Sequence, residues 1–306
     1  MASPTSTSDA PFGRTLTAMV TPFTADGAVD YARAQSLAAY LVDTQRNDGL
    51  VVSGTTGESP TTSDAEKERL LKAVLEAVGD RATVVAGAGT NDTHHSVELA
   101  RTAERAGAHG LLVVTPYYNK PPQEGLYQHF KTVADATGLP VMLYDIPGRS
   151  GVPIHPTTLI RLAQHERIVA VKDAKGDLFA AAQVRMATDL AFYSGDDALN
   201  LAWLAHGAAG FVSVIGHVAG AELARMLANY RKGEVAEAGN IYQQLVPVID
   251  GIMNRAGGAI MVKAALALTG QPVGPLRLPL VYANEEQIAE LRTCLVAGGV
   301  KVNDQS

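Results

Sequence analysis

Eight times along this chain a short apolar run is followed by a segment with helical spacing. The runs lie at residues 16–20, 49–52, 83–87, 111–114, 141–144, 168–171, 190–193 and 210–214. Near-continuous Val, Ile and Leu is the pattern of strands buried on both faces, as in parallel sheets. Strands alternating with helices require parallel pairing, because each helix carries the chain back across the sheet. Eight units in about 220 residues match a closed (β/α)8 barrel better than an open doubly wound sheet.

The helical segments carry their own start and stop signals. Leu70, Leu71, Val74, Leu75 and Val78 form one apolar stripe, opened by the capping box Ser63-Asp64-Ala65-Glu66 and followed by Gly79. Leu99, Ala103 and Ala106 share a face of the next helix, which Gly107 ends. After Gly233 the alternation stops, and residues 234–250, 259–268 and 285–295 all read as helices. The expected organisation is a disordered tail over 1–13, a catalytic TIM barrel over 14–232 and a C-terminal three-helix domain over 233–306.

With 306 residues, 47 % hydrophobic and 18 % charged, the chain can bury a large core. A net charge of −6 without a basic block argues against nucleic acid as the partner. The single cysteine, Cys294, cannot form an internal disulfide and reads as a packing residue. The first dozen residues lack the basic and apolar regions of a signal peptide, and no apolar stretch approaches the ~20 residues of a bilayer span. A cytoplasmic protein is expected, with no membrane partner.

In barrels of this kind the active site lies at the C-terminal ends of the strands, and there the polar residues gather. Lys172 closes the run Ile168-Val169-Ala170-Val171 and precedes the turn Asp173-Ala174-Lys175-Gly176. An amine must shed its proton to act as a nucleophile, and removal from water favours that loss. The other reading is a lysine that leaves the barrel rim for solvent. Gly54-Thr55-Thr56-Gly57 supplies approachable backbone N–H groups and two hydroxyls suited to a carboxylate or phosphate, or is an ordinary loop. Tyr144 ends the fifth run as either a core aromatic or a proton carrier beside the amine. Tyr117-Tyr118 reads equally as a surface pair. Arg149, in a Pro/Gly turn, is either a solvated charge or a bidentate carboxylate clamp. His94 and His95 are adjacent on a helix and face different ways, so no metal site is expected. No nucleophile elbow, P-loop or complete dinucleotide fingerprint is present.

Four motifs in order, Gly54-Thr55-Thr56-Gly57-Glu58-Ser59, Thr115-Pro116-Tyr117-Tyr118-Asn119-Lys120-Pro121, Tyr144-Asp145-Ile146-Pro147-Gly148-Arg149-Ser150-Gly151 and Val171-Lys172-Asp173-Ala174, resemble one family. It is the dihydrodipicolinate synthase (4-hydroxy-tetrahydrodipicolinate synthase) family of pyruvate-dependent class I aldolases, and the likeness runs from about Gly13 into the C-terminal helices. The resemblance implies a lyase that joins pyruvate to L-aspartate 4-semialdehyde through a Lys172 Schiff base, the first committed step of lysine and diaminopimelate biosynthesis. It implies Tyr144, Thr55 and Tyr118 as a proton relay, Tyr118 reaching in from a neighbouring subunit of a homotetramer built as a dimer of dimers. It assigns Thr56, Arg149, Gly195 and Val212 to substrate binding. No cofactor is implied beyond the covalent imine. Lysine-inhibited members carry a His and a Glu where this chain has Lys67 and His95, so feedback inhibition is expected to be weak or absent.

Two other readings compete. A related aldolase acting on sialic acid or 2-keto-3-deoxy sugars shares the Lys and Tyr, but Arg149 and the Thr55-Thr56 doublet favour an acidic aldehyde. A non-catalytic keto-acid-binding barrel would be marked by loss of the Lys or the Tyr, and both are present.

Overall fold

The computed structural model describes residues 9–303. Eight parallel strands close into a barrel in sequence order: β1 (Thr15–Ala18), β2 (Gly49–Val52), β3 (Thr83–Gly87), β4 (Gly110–Val114), β5 (Val141–Asp145), β6 (Ile168–Asp173), β7 (Ala191–Ser194) and β8 (Gly210–Ser213), with β8 pairing back onto β1. Around it lie α1 (Tyr31–Ala39), α2 (Asp64–Val78), α3 (Thr93–Ala106), α4 (Gln123–Asp135), the short α5 (Pro147–Ser150), α6 (Pro156–Leu162), α7 (Leu178–Ala187), α8 (Asn200–Ala205) and α9 (Gly216–Arg231). Three further helices follow, α10 (Val235–Met253), α11 (Gly258–Leu268) and α12 (Glu285–Ala297). The architecture is the expected (β/α)8 barrel.

Local signals explain the element boundaries. The Ser63–Glu66 capping box forms in both directions, Ser63 N–H donating to Glu66 Oε2 at 2.8 Å and Glu66 N–H to Ser63 Oγ at 3.3 Å. Gly107 ends α3 at φ 89°, where a side chain would be strained. The expected strand over 16–20 is shorter at its end: Val20 N–H turns from the sheet to donate to His217 Nε2 at 3.1 Å. Gly233, at φ 85°, separates α9 from α10, and α10 packs on α9 and α12. Among the described residues no single helix is long and apolar enough to cross a membrane.

Side chains along each strand alternate between two packed layers. The inward set, including Leu16, Val51, Val85, Leu112, Met142, Ala170 and Val212, fills the barrel, while Leu50, Val84, Leu143 and Val171 face the helices. Most of the expected disordered tail, residues 1–8, lies outside the described residues. Its last part requires a correction, because Phe12 is fully buried and belongs to the inner cluster. The ring stands 6.4 Å from that of Tyr193, whose hydroxyl donates to Gly13 O at 2.8 Å. An aromatic that closes the N-terminal end of a barrel buries more apolar surface than it would in a free tail, and this outweighs the cost of ordering residues 9–13.

Truncating Phe12→Ala should therefore open a cavity under the inner layer and lower stability by about 3–5 kcal/mol. Denaturant unfolding followed by circular dichroism would measure it, and a loss below about 1 kcal/mol would return these residues to the tail.

Candidate active site

The centre of the site is set by strand register. β5 and β6 pair so that Tyr144 stands opposite Lys172 and Asp145 opposite Asp173. Because side chains alternate, Tyr144 and Lys172 share the inward direction of Met142 and Ala170, while both aspartates face the helix layer. Lys172 is 5 % exposed, so the reading of a rim lysine in solvent does not hold. Its Nζ lies 4.1 Å from the centroid of the Tyr144 ring. The contact is with the ring face. Across β7, a Cβ on Gly195 would come within 3.0 Å of both Cε and Cγ of Lys172. A larger residue there would press on that side chain.

A cavity of about 240 Å³ opens at this end of the barrel. Gly54, Thr55, Tyr117, Tyr144, Ile146 and Arg149 are among its lining residues. Tyr144 thus borders the cavity on one side and touches the amine on another. Thr56, Lys172, Gly195 and Val212 do not line the cavity; Thr56, Lys172 and Val212 are buried beside the barrel's packed interior. Arg149 is exposed on α5, which only Ile146 separates from the end of β5. Burial raises the Tyr117 phenol above its usual value. Tyr118 is 90 % exposed in the single chain and holds φ 73°, a conformation that costs a non-glycine residue on the order of 1 kcal/mol or more.

The Gly54–Gly57 turn has a definite donor pattern. Gly57 N–H donates to Gly54 O at 3.1 Å, Glu58 N–H to Thr55 O at 3.2 Å and Ser59 N–H to Gly54 O at 3.3 Å. The N–H groups of Thr55 and Thr56 have no partner among the described residues. Neighbouring backbone amides without a partner can together hold an anion.

Sequence reasoning missed the buried carboxylates behind the site. Asp145 is fully buried, with Oδ2 3.1 Å from Lys175 Nζ. Asp173 accepts from Lys175 N–H and Gly176 N–H, both at 2.9 Å, and ties down the turn that follows Lys172. Burial pushes the Asp173 carboxyl up to about 6 and also raises Asp145 and Asp197. Asp197 accepts from Val214 N–H at 2.8 Å and Ile215 N–H at 3.0 Å, joining the end of β7 to the end of β8. Their signal in the sequence was position alone, at or shortly after the C-terminal end of an apolar strand. Cys294 is half-buried against Gly251, in keeping with a packing role. No group of three or more metal-ligating side chains occurs among the described residues.

Comparison with known proteins places this arrangement among relatives. The sequence profile of the dihydrodipicolinate synthetase family matches residues 11–297. A 4-hydroxy-tetrahydrodipicolinate synthase 2 from Streptomyces coelicolor is 64 % identical over 299 residues, covering 98 % of this chain and 99 % of its own. A 4-hydroxy-tetrahydrodipicolinate synthase from Acidothermus cellulolyticus is 64 % identical over 295 residues, 96 % of this chain and 95 % of its own. Among solved structures, the Cyanidioschyzon merolae enzyme with lysine bound superposes with a TM-score of 0.92 at 43 % identity, covering 95 % of this chain and 100 % of that one.

Asp173 holds its proton more tightly in the folded chain, at about 6, than at its ordinary value of 3.8. Between those two values the folded state carries the extra proton, so this group's contribution to stability falls as pH rises through the window and stays low above it. Asp173→Asn keeps an acceptor for the two N–H groups and removes the titration. We expect its stability relative to the parent to rise by on the order of 2 kcal/mol from pH 4 to pH 7. A difference that stays flat in urea melts across that range would contradict the raised carboxyl.

Proposed function

The chain belongs to the dihydrodipicolinate synthetase family, and from that premise we propose how its residues perform the family's reaction. The activity is that of a 4-hydroxy-tetrahydrodipicolinate synthase, a lyase of lysine and diaminopimelate biosynthesis. Its substrates are pyruvate and L-aspartate 4-semialdehyde. The observation that carries the residue assignment is Lys172, 5 % exposed with its Nζ 4.1 Å from the Tyr144 ring at the C-terminal barrel end.

Lys172 attacks the keto carbon of pyruvate, and loss of water leaves an imine. Removal of a methyl proton converts this to an enamine, a carbon nucleophile available at neutral pH where the free carbanion is not. The enamine carbon bonds to the aldehyde carbon of the semialdehyde, whose oxygen takes up a proton. The semialdehyde's own amine then adds to the imine carbon, and expulsion of the lysine closes the ring and restores the free amine. Tyr144, Thr55 and Tyr118 carry the protons, since phenol and alcohol hydroxyls both donate and accept.

The unpaired N–H groups of Thr55 and Thr56 support a carboxylate site for pyruvate at that turn, with the Thr56 hydroxyl beside it. Gly195 gives Lys172 room, and Val212, in the inner barrel layer, supplies apolar packing behind the pyruvate methyl. Arg149, at the open edge of the cavity, takes the carboxylate of the semialdehyde. The covalent imine supplies all the electron withdrawal these steps require, so no cofactor enters. Tyr118, exposed and strained in one chain, completes the relay of a neighbouring subunit in a homotetramer, a dimer of dimers. The setting is the cytoplasm.

Incubation with pyruvate and borohydride should add the mass of the reduced adduct to the parent chain and none to Lys172→Ala, with activity lost by at least about a thousandfold. An adduct in the alanine variant would remove Lys172 from its role. Lysine sensitivity supplies a second check. Lys67 Nζ is bonded to Thr62 O at 2.8 Å and His95 Nε2 pairs with Asp64 Oδ2 at 2.8 Å, so both side chains are already engaged. Half-inhibition by lysine is expected above about 1 mM, and a value well below that in a coupled assay would overturn the expectation.

A further inference from the structure

Glu58, the fifth residue of the Gly54-Thr55-Thr56-Gly57-Glu58 motif, is 2 % exposed and takes no part in the reaction as described. It holds the left-handed conformation at φ 56°, a strained state for a side-chain-bearing residue that surroundings must enforce. Its carboxylate points away from the cavity toward the C-terminal part of the chain. Lys263 of α11, fully buried, brings Nζ to 2.6 Å from Glu58 Oε1. The two opposite charges are in direct contact. Glu58 Oε2 accepts from Arg277 N–H at 2.9 Å.

Both cations are fixed from other directions. Lys263 Nζ donates to Pro275 O at 2.7 Å. The Arg277 guanidinium donates to Thr61 O at 2.7 Å and to both oxygens of Glu66 at 2.6 and 2.9 Å. Phe23 lies beneath the pair, its ring 4.4 Å from Lys263 Nζ and 4.5 Å from Arg277 Cζ. Thr21 Oγ1, from the loop after β1, donates to Gly57 O at 2.6 Å. The turn that carries the two unpaired amides is therefore held at its last residues by the β1 loop and by α11 and the segment after it.

We propose that Glu58, Lys263 and Arg277 form a positioning device through which the C-terminal segment sets the Gly54–Gly57 turn for the pyruvate carboxylate. The proposal rests on the carboxylate site assigned above. A buried ion pair is a poor source of net stability, because desolvation of both charges offsets their attraction. It is a good source of geometric definition, since either charge alone would be left uncompensated and the turn cannot swing away from the pair. Glu58, Lys263 and Arg277 are positioning residues, none of them bordering the cavity.

The test compares the parent chain with Glu58→Gln/Lys263→Gln, which removes both charges together and leaves no buried ion alone, and with Glu58→Asp, which keeps the charge and withdraws it by one methylene. Melting curves establish folding, and the pyruvate concentration that half-saturates borohydride trapping reads the turn. We expect the folded double variant to need about tenfold more pyruvate and Glu58→Asp about threefold more, with the KM for the semialdehyde within about twofold of the parent. Half-saturation within about twofold of the parent, in whichever of the two variants folds, overturns the proposal and leaves the network as scaffolding. Absence of trapping in the parent itself refutes instead the underlying assignment of the imine.

Discussion

Everything at the catalytic end depends on the pairing register of β5 with β6. Parallel strands alternate their side chains, so one register places Tyr144 beside Lys172 inside the barrel and sends Asp145 and Asp173 outward together. A slip by one residue would exchange these sets, placing two carboxylates in the apolar interior and the amine among the helices. Closure of the sheet makes such a slip costly, because every strand is bonded on both sides and none can shift alone. Phe12 and Tyr193 fill the N-terminal end, which leaves the cavity at the other end, above the amine.

The layer between strands and helices holds more charge than an apolar fold requires. Asp145, Asp173 and Asp197 are all buried, and each binds backbone N–H groups or a cation at the start of a loop bordering the site. Burial costs an ionised carboxyl several kcal/mol unless donors replace its water. Here the donors are the loops themselves. The same logic holds on the other flank, where Glu58 faces Lys263 and Arg277. Rigid loops around a covalent site suit a reaction in which an imine carbon must meet an aldehyde carbon, then an amine, in fixed geometry.

Much of this was legible in the residues. Apolar runs of four or five residues separated by amphipathic segments imply parallel strands, and eight of them imply closure; both follow from local periodicity and counting. Lys172 was legible because an ammonium at the end of an unbroken apolar strand is unusual on physical grounds. Phe12 was misjudged because a single aromatic in a polar, Ser- and Thr-rich stretch carries no periodicity, and only the open barrel end that it fills gives it a place.

Sequence by itself determined the element order, the barrel and the set of polar side chains at the strand ends, since these depend on neighbours within a few residues. Tertiary structure alone decided that Lys172 meets the face of Tyr144, that Gly195 makes room for it, and that Glu58 is held by groups more than two hundred residues away. The reason is that ion pairs and ring contacts form between residues distant along the chain, and no local pattern of apolar and polar positions records which distant partner will arrive.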